Sequence, residues 1–213
     1  MNVAQMISLM GILGIGETLA EEASKQIALQ YLNLAHDQLY RETANINANI
    51  WVDEVLTNVN NNPTIVLSEI PFLVAKVFVK GQMCPLKPLS VLDFAQYQFD
   101  NLLQGPPLVY MFQLSTVSFY PSQPDTSYEF TVWYAPKRTP LNEFTTEDSI
   151  PYPAEYQSVL VDGALYYLFQ DESGFKNPQK ENEALRRWNQ GRADLMAYLY
   201  GANSQRISTF SNA

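Results

Sequence analysis

Carboxylates near the start of the chain are the first side chains whose type and spacing suggest chemistry. Glu17, Glu21 and Glu22 follow three glycines in the stretch GILGIGETLAEE, residues 11–22. Two carboxylates about 5–9 Å apart can serve as the acid and the base of glycan cleavage. However, Thr18 and Glu21 have the spacing of a capping box, in which the two side chains satisfy backbone donors at a helix start. We therefore expect these residues to begin a helix.

The single histidine and the single cysteine add little further chemistry. A zinc site draws on several His and Cys ligands, and a disulfide framework needs paired cysteines. His36 and Cys84 are each the only residue of their type. We expect His36 to be a surface or core-edge side chain of a helix, and Cys84 to be a small buried hydrophobic residue. The sequence predicts no catalytic residue, no metal and no cofactor.

The glycines of residues 11–22 do not predict a phosphate site either. Phosphate-binding loops follow a strand, and the Walker type ends in Lys followed by Ser or Thr. Here the glycines follow the helical spacing of Val3, Met6 and Met10. No basic residue precedes Lys25, and no apolar run reaches the roughly 18 residues of a membrane span. We therefore expect neither a signal peptide nor a membrane partner, and a protein made and kept in a cytoplasm.

Charge is distributed unevenly along the 213 residues. The formal net charge of −9 argues against a broad nucleic-acid surface. Residues 120–173 carry nine acids and two bases, whereas residues 174–213 carry six bases and three acids. The acidic loop is either simply solvated or a channel or partner face, and its candidate residues are Glu143, Glu147 and Asp148. The basic end is either a solvated helix face or an intersubunit surface, and its candidates are Arg186, Arg187 and Arg192.

Apolar spacing predicts two helices in the first part of the chain. The first is short and is ended by the glycines at 11, 14 and 16. The second is one long amphipathic helix over residues 18–44. An Asn-rich stretch, residues 44–62, follows it, with a weak helical turn near Trp51 to Val59. The role of this stretch stays open.

The middle of the chain predicts strands, because β-branched and aromatic residues alternate with polar ones between residues 64 and 135. A short helix over 88–102, capped by Ser90 with Asp93 in its first turn, interrupts them. Residues 136–153 form an acidic loop bounded by prolines.

Helical spacing returns in the last part of the chain. One helix begins near Pro153, and the next covers 178–200, with Asn177 as its cap. Trp188 belongs to the aromatic core between these helices. Residues 201–213 show no periodicity and predict an extended tail.

The predicted fold is therefore α+β. Helices from both ends form an antiparallel bundle, with residues 1–62 and 151–200 as its two parts. An antiparallel β domain, residues 63–150, is inserted between them, and residues 201–213 form the extended tail.

Three stretches in order along the chain resemble bacteriophage head-to-tail adaptor proteins. The first is MISLMGILGIGETLAEEASKQIALQYLNLAHDQL, with a short apolar helix, a Gly-x-Gly-Glu-Thr turn and an acidic helix start. The second is LVYMFQLSTVSFYPSQPDTSYEFTVWYAPKRTPL, in which a strand that ends in Pro precedes a Tyr-x-x-Pro strand. The third is IPYPAEYQSVLVDGALYYLF. The similarity covers most of residues 3–200, and the Asn-rich stretch departs from it.

The resemblance implies a structural virion protein without enzymatic activity. Family members form a ring, typically of twelve copies, beneath the portal protein at the head–tail junction of the virion. The ring extends the DNA channel without sequence-specific DNA binding and provides the platform for tail or nozzle proteins and for DNA retention. Members commonly dock a C-terminal segment on the portal, and by position the docking residues here would be Tyr200, Arg206, Ile207 and Phe210.

Two other functions stay open at the sequence level. One is a tail-tube or tail-completion protein that does not contact the portal. The other is a virion-associated peptidoglycan hydrolase that uses paired carboxylates. A DNA-binding regulator is disfavoured by the acidic body of the chain.

Overall fold

A computed structural model of the chain describes residues 1–15, 22–58, 62–97, 104–121, 127–171 and 175–210, without the side chains of 14, 15, 22, 23 and 203–210. The chain divides into two compact units, a helical unit of residues 1–49 and 138–213 and a β unit of residues 50–137. The predicted mixed α+β class is confirmed. The described residues form five α-helices: α1 (Val3–Met10), α2 (Glu22–Thr43), α3 (Val91–Tyr97), α4 (Ser158–Gln170) and α5 (Pro178–Phe210).

The first helix differs from the prediction at its end. Gly11 does not end it, because Gly11–Ile15 continues the helix as a π-helical turn. The Gly11 backbone is helical, at φ −57° and ψ −50°, and its N–H points to the carbonyls of both Ile7 and Ser8. Single π turns of this kind widen an α-helix without breaking it. The glycine at 16 and the predicted capping box of Thr18 and Glu21 lie outside the described residues.

Helix α2 carries the main apolar stripe of the helical unit. Ala28, Leu32, Ala35 and Leu39 are all buried at intervals of three and four residues. Such a stripe covers one face of a helix and packs on neighbouring helices. The long amphipathic helix predicted here is therefore confirmed over Glu22–Thr43.

Helix α4 packs closely on both α2 and α5. A Cβ atom added at Gly163 would lie 2.7 Å from the Trp188 ring and 2.9 Å from the Cβ of Ala35. A Cβ at Gly191 would lie 2.6 Å from Val159. The two glycines let the helices approach to distances that a side chain would prevent. Their antiparallel bundle arrangement stays a prediction.

The last helix starts as predicted and ends later. The Asn177 side chain accepts a hydrogen bond from the Lys180 N–H at 3.1 Å, and Pro178 is the first helical residue. The extended conformation predicted from residue 201 is wrong over 201–210, because α5 continues to Phe210. Glycine costs only about 1 kcal/mol in a helix interior, and no proline follows Gly201 to stop the helix. Residues 211–213 lie outside the described part.

The β unit contains two sheets. The described strands are β1 (Val52–Thr57), β2 (Thr64–Val66), β3 (Leu73–Val79), β4 (Lys87–Pro88), β5 (Val109–Gln113), β6 (Thr116–Tyr120) and β7 (Glu129–Ala135). Their order is β1-β7-β3 in one sheet and β2-β6-β5-β4 in the other. All pairs are antiparallel except β4 with β5. The inner faces share one core, in which the Phe119 and Phe130 rings stack at 4.7 Å.

Strand β1 replaces the helical turn predicted near Trp51 to Val59. It pairs along its length with β7, from Val52 opposite Tyr134 to Thr57 opposite Glu129. Local sequence favours a helical turn only weakly, and β-branched residues fit the pleated surface of a strand. The β unit therefore begins at residue 50 and ends at 137, whereas the sequence analysis placed its limits at 63 and 150.

Two asparagines of the 44–62 stretch bond backbone groups that are distant in sequence. Asn47 donates to the Pro151 carbonyl at 2.8 Å, and Asn58 accepts from the Tyr128 N–H at 2.6 Å. Both are buried, so their side chains satisfy backbone groups that water cannot reach.

The short helix of the β unit is confirmed. Ser90 accepts a hydrogen bond from the Asp93 N–H at 3.1 Å at the start of α3. Residues 98–102 of the predicted helix lie outside the described residues.

Candidate interaction surfaces

Helix α2 holds the start of the acidic loop, residues 136–153. The Asn33 side chain accepts from the Leu141 N–H at 2.8 Å and donates to the Leu141 carbonyl at 3.0 Å. Arg138 also donates to Asn33, at 3.0 Å. These hydrogen bonds fix the backbone of the loop on the helix, so the residues that follow start from a defined position.

His36 belongs to this attachment and not to the surface. Its side chain is 3% exposed, and its ring makes edge-to-face contacts with Tyr40 and Tyr152. Its Nδ1 lies 3.4 Å from the Arg138 guanidinium, which also pairs with Asp37 at 3.3 Å. Burial, and then the charge of Arg138, lower the pKa of His36 to about 3 although Asp37 acts in the opposite sense. His36 is therefore neutral at physiological pH.

The next residues of the loop form a tight hydrogen-bonded turn. The Asn142 side chain accepts from the Phe144 N–H at 2.9 Å, and the Thr145 hydroxyl accepts from the Asn142 N–H at 2.9 Å. The Thr145 carbonyl accepts from the Val3 N–H at 3.2 Å, which ties the turn to α1. Phe144 is nevertheless 83% exposed. We name residues 142–148 the Phe144 turn.

The three predicted partner-face acids all lie in the Phe144 turn, and they differ in their surroundings. Glu147 pairs with the α-amino group of Met1 at 2.7 Å, and that amino group also donates to Gln157. Glu143 and Asp148 are exposed and form no ion pair with any residue that the structure describes. The same turn therefore carries two uncompensated carboxylates and an exposed aromatic ring.

Arg187 is engaged inside the helical unit. Its guanidinium contacts Asp162 of α4 at 2.8 Å and Glu183 at 2.7 Å. Burial raises the pKa of Asp162, and the bond from Arg187 opposes that shift. The residue thus ties α5 to α4.

Arg192 is also engaged internally. It makes two hydrogen bonds to the Glu42 carboxylate, at 2.5 and 2.8 Å, and its guanidinium lies 5.3 Å from the Trp188 ring. A bidentate pair of this kind has a defined geometry and connects α5 to α2. The intersubunit role of Arg187 and Arg192 stays a prediction.

Arg186 is the exception among the predicted basic candidates. It is exposed. Of the five arginines whose side chains the structure describes, it alone makes no ion pair, since Arg41, Arg138, Arg187 and Arg192 all do. Its side chain remains available for contact with another molecule.

The predicted docking residues lie at the end of α5. Tyr200 is 56% exposed. The backbone of the other three is helical, and their side chains lie outside the description: Arg206, Ile207 and Phe210. Tyr198, at 43%, is a second exposed aromatic side chain at this end of the helix.

Other predicted sites are not brought together. Cys84 is exposed and not buried as predicted, because it follows the tight turn at Gly81, whose φ is +87°. The carboxylates proposed for glycan cleavage, at 17, 21 and 22, lie outside the described side chains.

Among the described residues, no group of three or more His, Cys, Asp or Glu side chains is arranged to hold a metal ion. None of the helices, as far as they are described, is both long and apolar enough to span a membrane.

Phe144 and Leu114 are among the exposed apolar residues that the sequence does not single out. For Phe144, an aromatic residue inside an acidic, turn-forming segment is a signal that could have identified it. Leu114 lies at the tip of the β5–β6 hairpin, where it is 69% exposed with φ of +57°. No sequence pattern marks Leu114, because leucine rarely adopts a positive φ.

Comparison with known proteins gives a match over nearly the whole chain. Residues 1–212 match the model of the family described as SU10 adaptor protein. The match includes both the helical unit and the inserted β unit. No curated protein matches the chain significantly.

Proposed function

Because this chain belongs to the SU10 adaptor protein family, a family of phage adaptor proteins, we propose that it is a head-to-tail adaptor that forms a ring beneath the portal. The observation that carries the proposal is the family match over residues 1–212. The ring would extend the DNA channel of the virion, help to retain DNA and present a platform to tail or nozzle proteins. Copy number would follow from the portal on which the ring assembles.

The charge distribution supports a channel more than a DNA-binding surface. Net charge is −9 over 213 residues, and DNA phosphates are repelled by a surface of the same sign. A surface that repels phosphates would let DNA pass and would not keep it bound. This agrees with a conduit that has no sequence preference.

The C-terminal end of α5 is the proposed portal-docking segment. The helix continues to Phe210, so the segment would dock as a helix instead of as the extended tail predicted from the sequence. Exposed Tyr200 would contribute apolar contact area at the start of the segment. Helix-in-groove recognition uses such side chains, spaced by three or four residues, as anchors.

Removal of residues 201–213 tests this docking. The truncated chain should keep its thermal unfolding midpoint, since Leu199 is the last buried residue among the α5 side chains that the structure describes, and should no longer comigrate with the purified portal. Leu114→Ala, which removes an exposed apolar side chain from the β unit, is the control and should bind the portal normally.

Two results would change the proposal. A folded truncation that still binds the portal contradicts docking through the C-terminal segment. A full-length chain that ignores the portal but binds a tail protein would favour a tail-completion role within the same adaptor family.

A further inference from the structure

The Phe144 turn and Arg186 have complementary chemistry on different parts of the helical unit. The turn carries an exposed aromatic ring, Phe144, and two exposed carboxylates, Glu143 and Asp148, that pair with none of the described residues. Arg186 is an exposed guanidinium that likewise pairs with none of them. We propose that the Arg186 guanidinium of one copy of this chain packs on the Phe144 ring of the next copy and pairs with the carboxylates of that turn.

The geometry of the turn fits a rigid docking element. Three local hydrogen bonds, from Asn142, Phe144 and Thr145, close it, and a fourth joins it to α1. A loop whose backbone is already held loses little conformational freedom on binding, so more of its contact energy contributes to affinity. Phe144 is 83% exposed on this loop.

Arginine is the residue type that this arrangement recognises best. A guanidinium is planar, so it can stack on an aromatic face while its N–H groups pair with carboxylates beside the ring. A lysine ammonium offers a point charge without the planar face. The same chain already shows this pairing internally, where Arg192 lies over Trp188 and binds Glu42.

A second copy is the occupant that the charges favour. The acidic segment 120–173 and the basic segment 174–213 belong to the same chain, so identical copies can satisfy each other. Contact between two different surfaces is heterologous, and heterologous contacts close into rings when the rotation permits. The inference thus rests on the proposed ring and assigns the residues of its subunit contact.

Cross-linking of single-cysteine variants tests the contact directly. Phe144→Cys and Arg186→Cys are made separately in a Cys84→Ser background, because Cys84 is exposed and would react. A short bismaleimide is used, since a direct disulfide needs Cβ atoms only about 3.5–4.5 Å apart. We expect a covalent dimer when the two variants are mixed at assembly concentration with the portal, and none from either variant alone. Leu114→Cys mixed with Arg186→Cys is the control and should remain uncoupled.

Substitutions at Arg186 give an independent readout. Arg186→Glu should weaken the self-association of subunits on the portal by at least about tenfold, which corresponds to roughly 1.4 kcal/mol, as followed by sedimentation velocity of the chain mixed with the purified portal. Arg186→Lys should be intermediate, because it keeps the charge and loses the stacking. Lys87→Glu makes the same charge reversal at an exposed position of the β unit and should leave self-association unchanged.

The outcomes separate this contact from the proposed function. Rings that assemble on the portal but give no cross-link from the mixture overturn the contact and leave the adaptor function intact. Equal effects of Arg186→Glu and Lys87→Glu also overturn it, since they would report net charge alone. A chain that stays monomeric at every concentration, with and without the portal, contradicts the ring and the contact together.

Discussion

Trp188 lies where three helices meet, and it gives the most direct prediction at the scale of single residues. Its side chain is 1% exposed, and its ring packs against Gly163 of α4 so closely that an added Cβ would clash with it. Trp188→Ala should lower the free energy of unfolding by about 3–5 kcal/mol, the usual cost of removing a large buried aromatic side chain. Urea unfolding measures it. Tyr200→Ala in the same helix, at an exposed position, is the control, and an unchanged midpoint for Trp188→Ala would contradict burial in the core.

Buried His36 makes the free energy of unfolding depend on pH. Its pKa is about 3 in the folded protein and 6.5 as the ordinary value, so between those values the unfolded chain binds a proton that the folded chain does not. Stability should therefore fall as pH falls from 6.5 towards 3, by up to about 1.4 kcal/mol per pH unit from this group. His36→Gln should make that decline shallower and should leave assembly unchanged.

Thermal melts of parent and His36→Gln across this pH range measure the difference. Parallel declines would contradict a buried neutral histidine. Loss of assembly at neutral pH would instead indicate a functional site at His36.

Charged residues show what sequence reasoning could and could not predict at this scale. Charge and spacing identify the candidate residues, but they do not identify the side chains with which these residues form ion pairs. Arg192 pairs with Glu42, which is 150 residues away in the chain, and Arg187 pairs with Asp162, which is 25 residues away. Such pairs depend on tertiary packing, so a sequence pattern cannot distinguish the paired arginines from Arg186, whose side chain is exposed.

Local signals predicted elements best where the residues involved are close in sequence. The caps at Ser90 and Asn177 and the strands β2, β3 and β7 follow from short patterns. The single strand predicted before Pro121 divides into β5 and β6. Strand β1 does not follow from such a pattern, because its extended conformation depends on pairing with β7. The two strands are about 80 residues apart in the register that joins Val52 to Tyr134. The π turn at Gly11 was missed because glycine usually ends a helix.

The cap of α5 can be tested by substitution. Asn177→Ala removes the acceptor for the Lys180 N–H and should destabilise the protein by about 1 kcal/mol. Asn182→Ala, at an exposed position inside the same helix, should be neutral or slightly stabilising, because alanine is the better helix former. Urea unfolding compares the two, and equal losses would contradict the cap.

The helical state of residues 201–210 gives a second prediction for an element. An added Cβ at Gly201 has no atom within 4 Å, so Gly201→Ala should raise helix content and stabilise this end by roughly 0.5–1 kcal/mol. Gly201→Pro should break the helix there and weaken portal binding. Circular dichroism and portal affinity measure both. Unchanged helix content for both variants would indicate that the segment is extended in solution.

At the scale of the whole molecule, the α+β class and the resemblance to phage adaptor proteins are confirmed, the latter by the family match over residues 1–212. The order of three weak patterns along the chain carried that identification, while no single motif did. The subunit contact could not be predicted from sequence, because Phe144 becomes significant only once its exposure and its hydrogen-bonded turn are known.

The central claim is assembly into a ring on the portal, and the measurement that tests it most directly is particle mass in solution. The purified chain, 24.2 kDa per subunit, is measured alone and then mixed with its purified portal. We predict a small species alone, and with the portal a complex whose added mass is a fixed multiple of the subunit mass. A mixture in which portal and chain keep their separate masses would contradict the account.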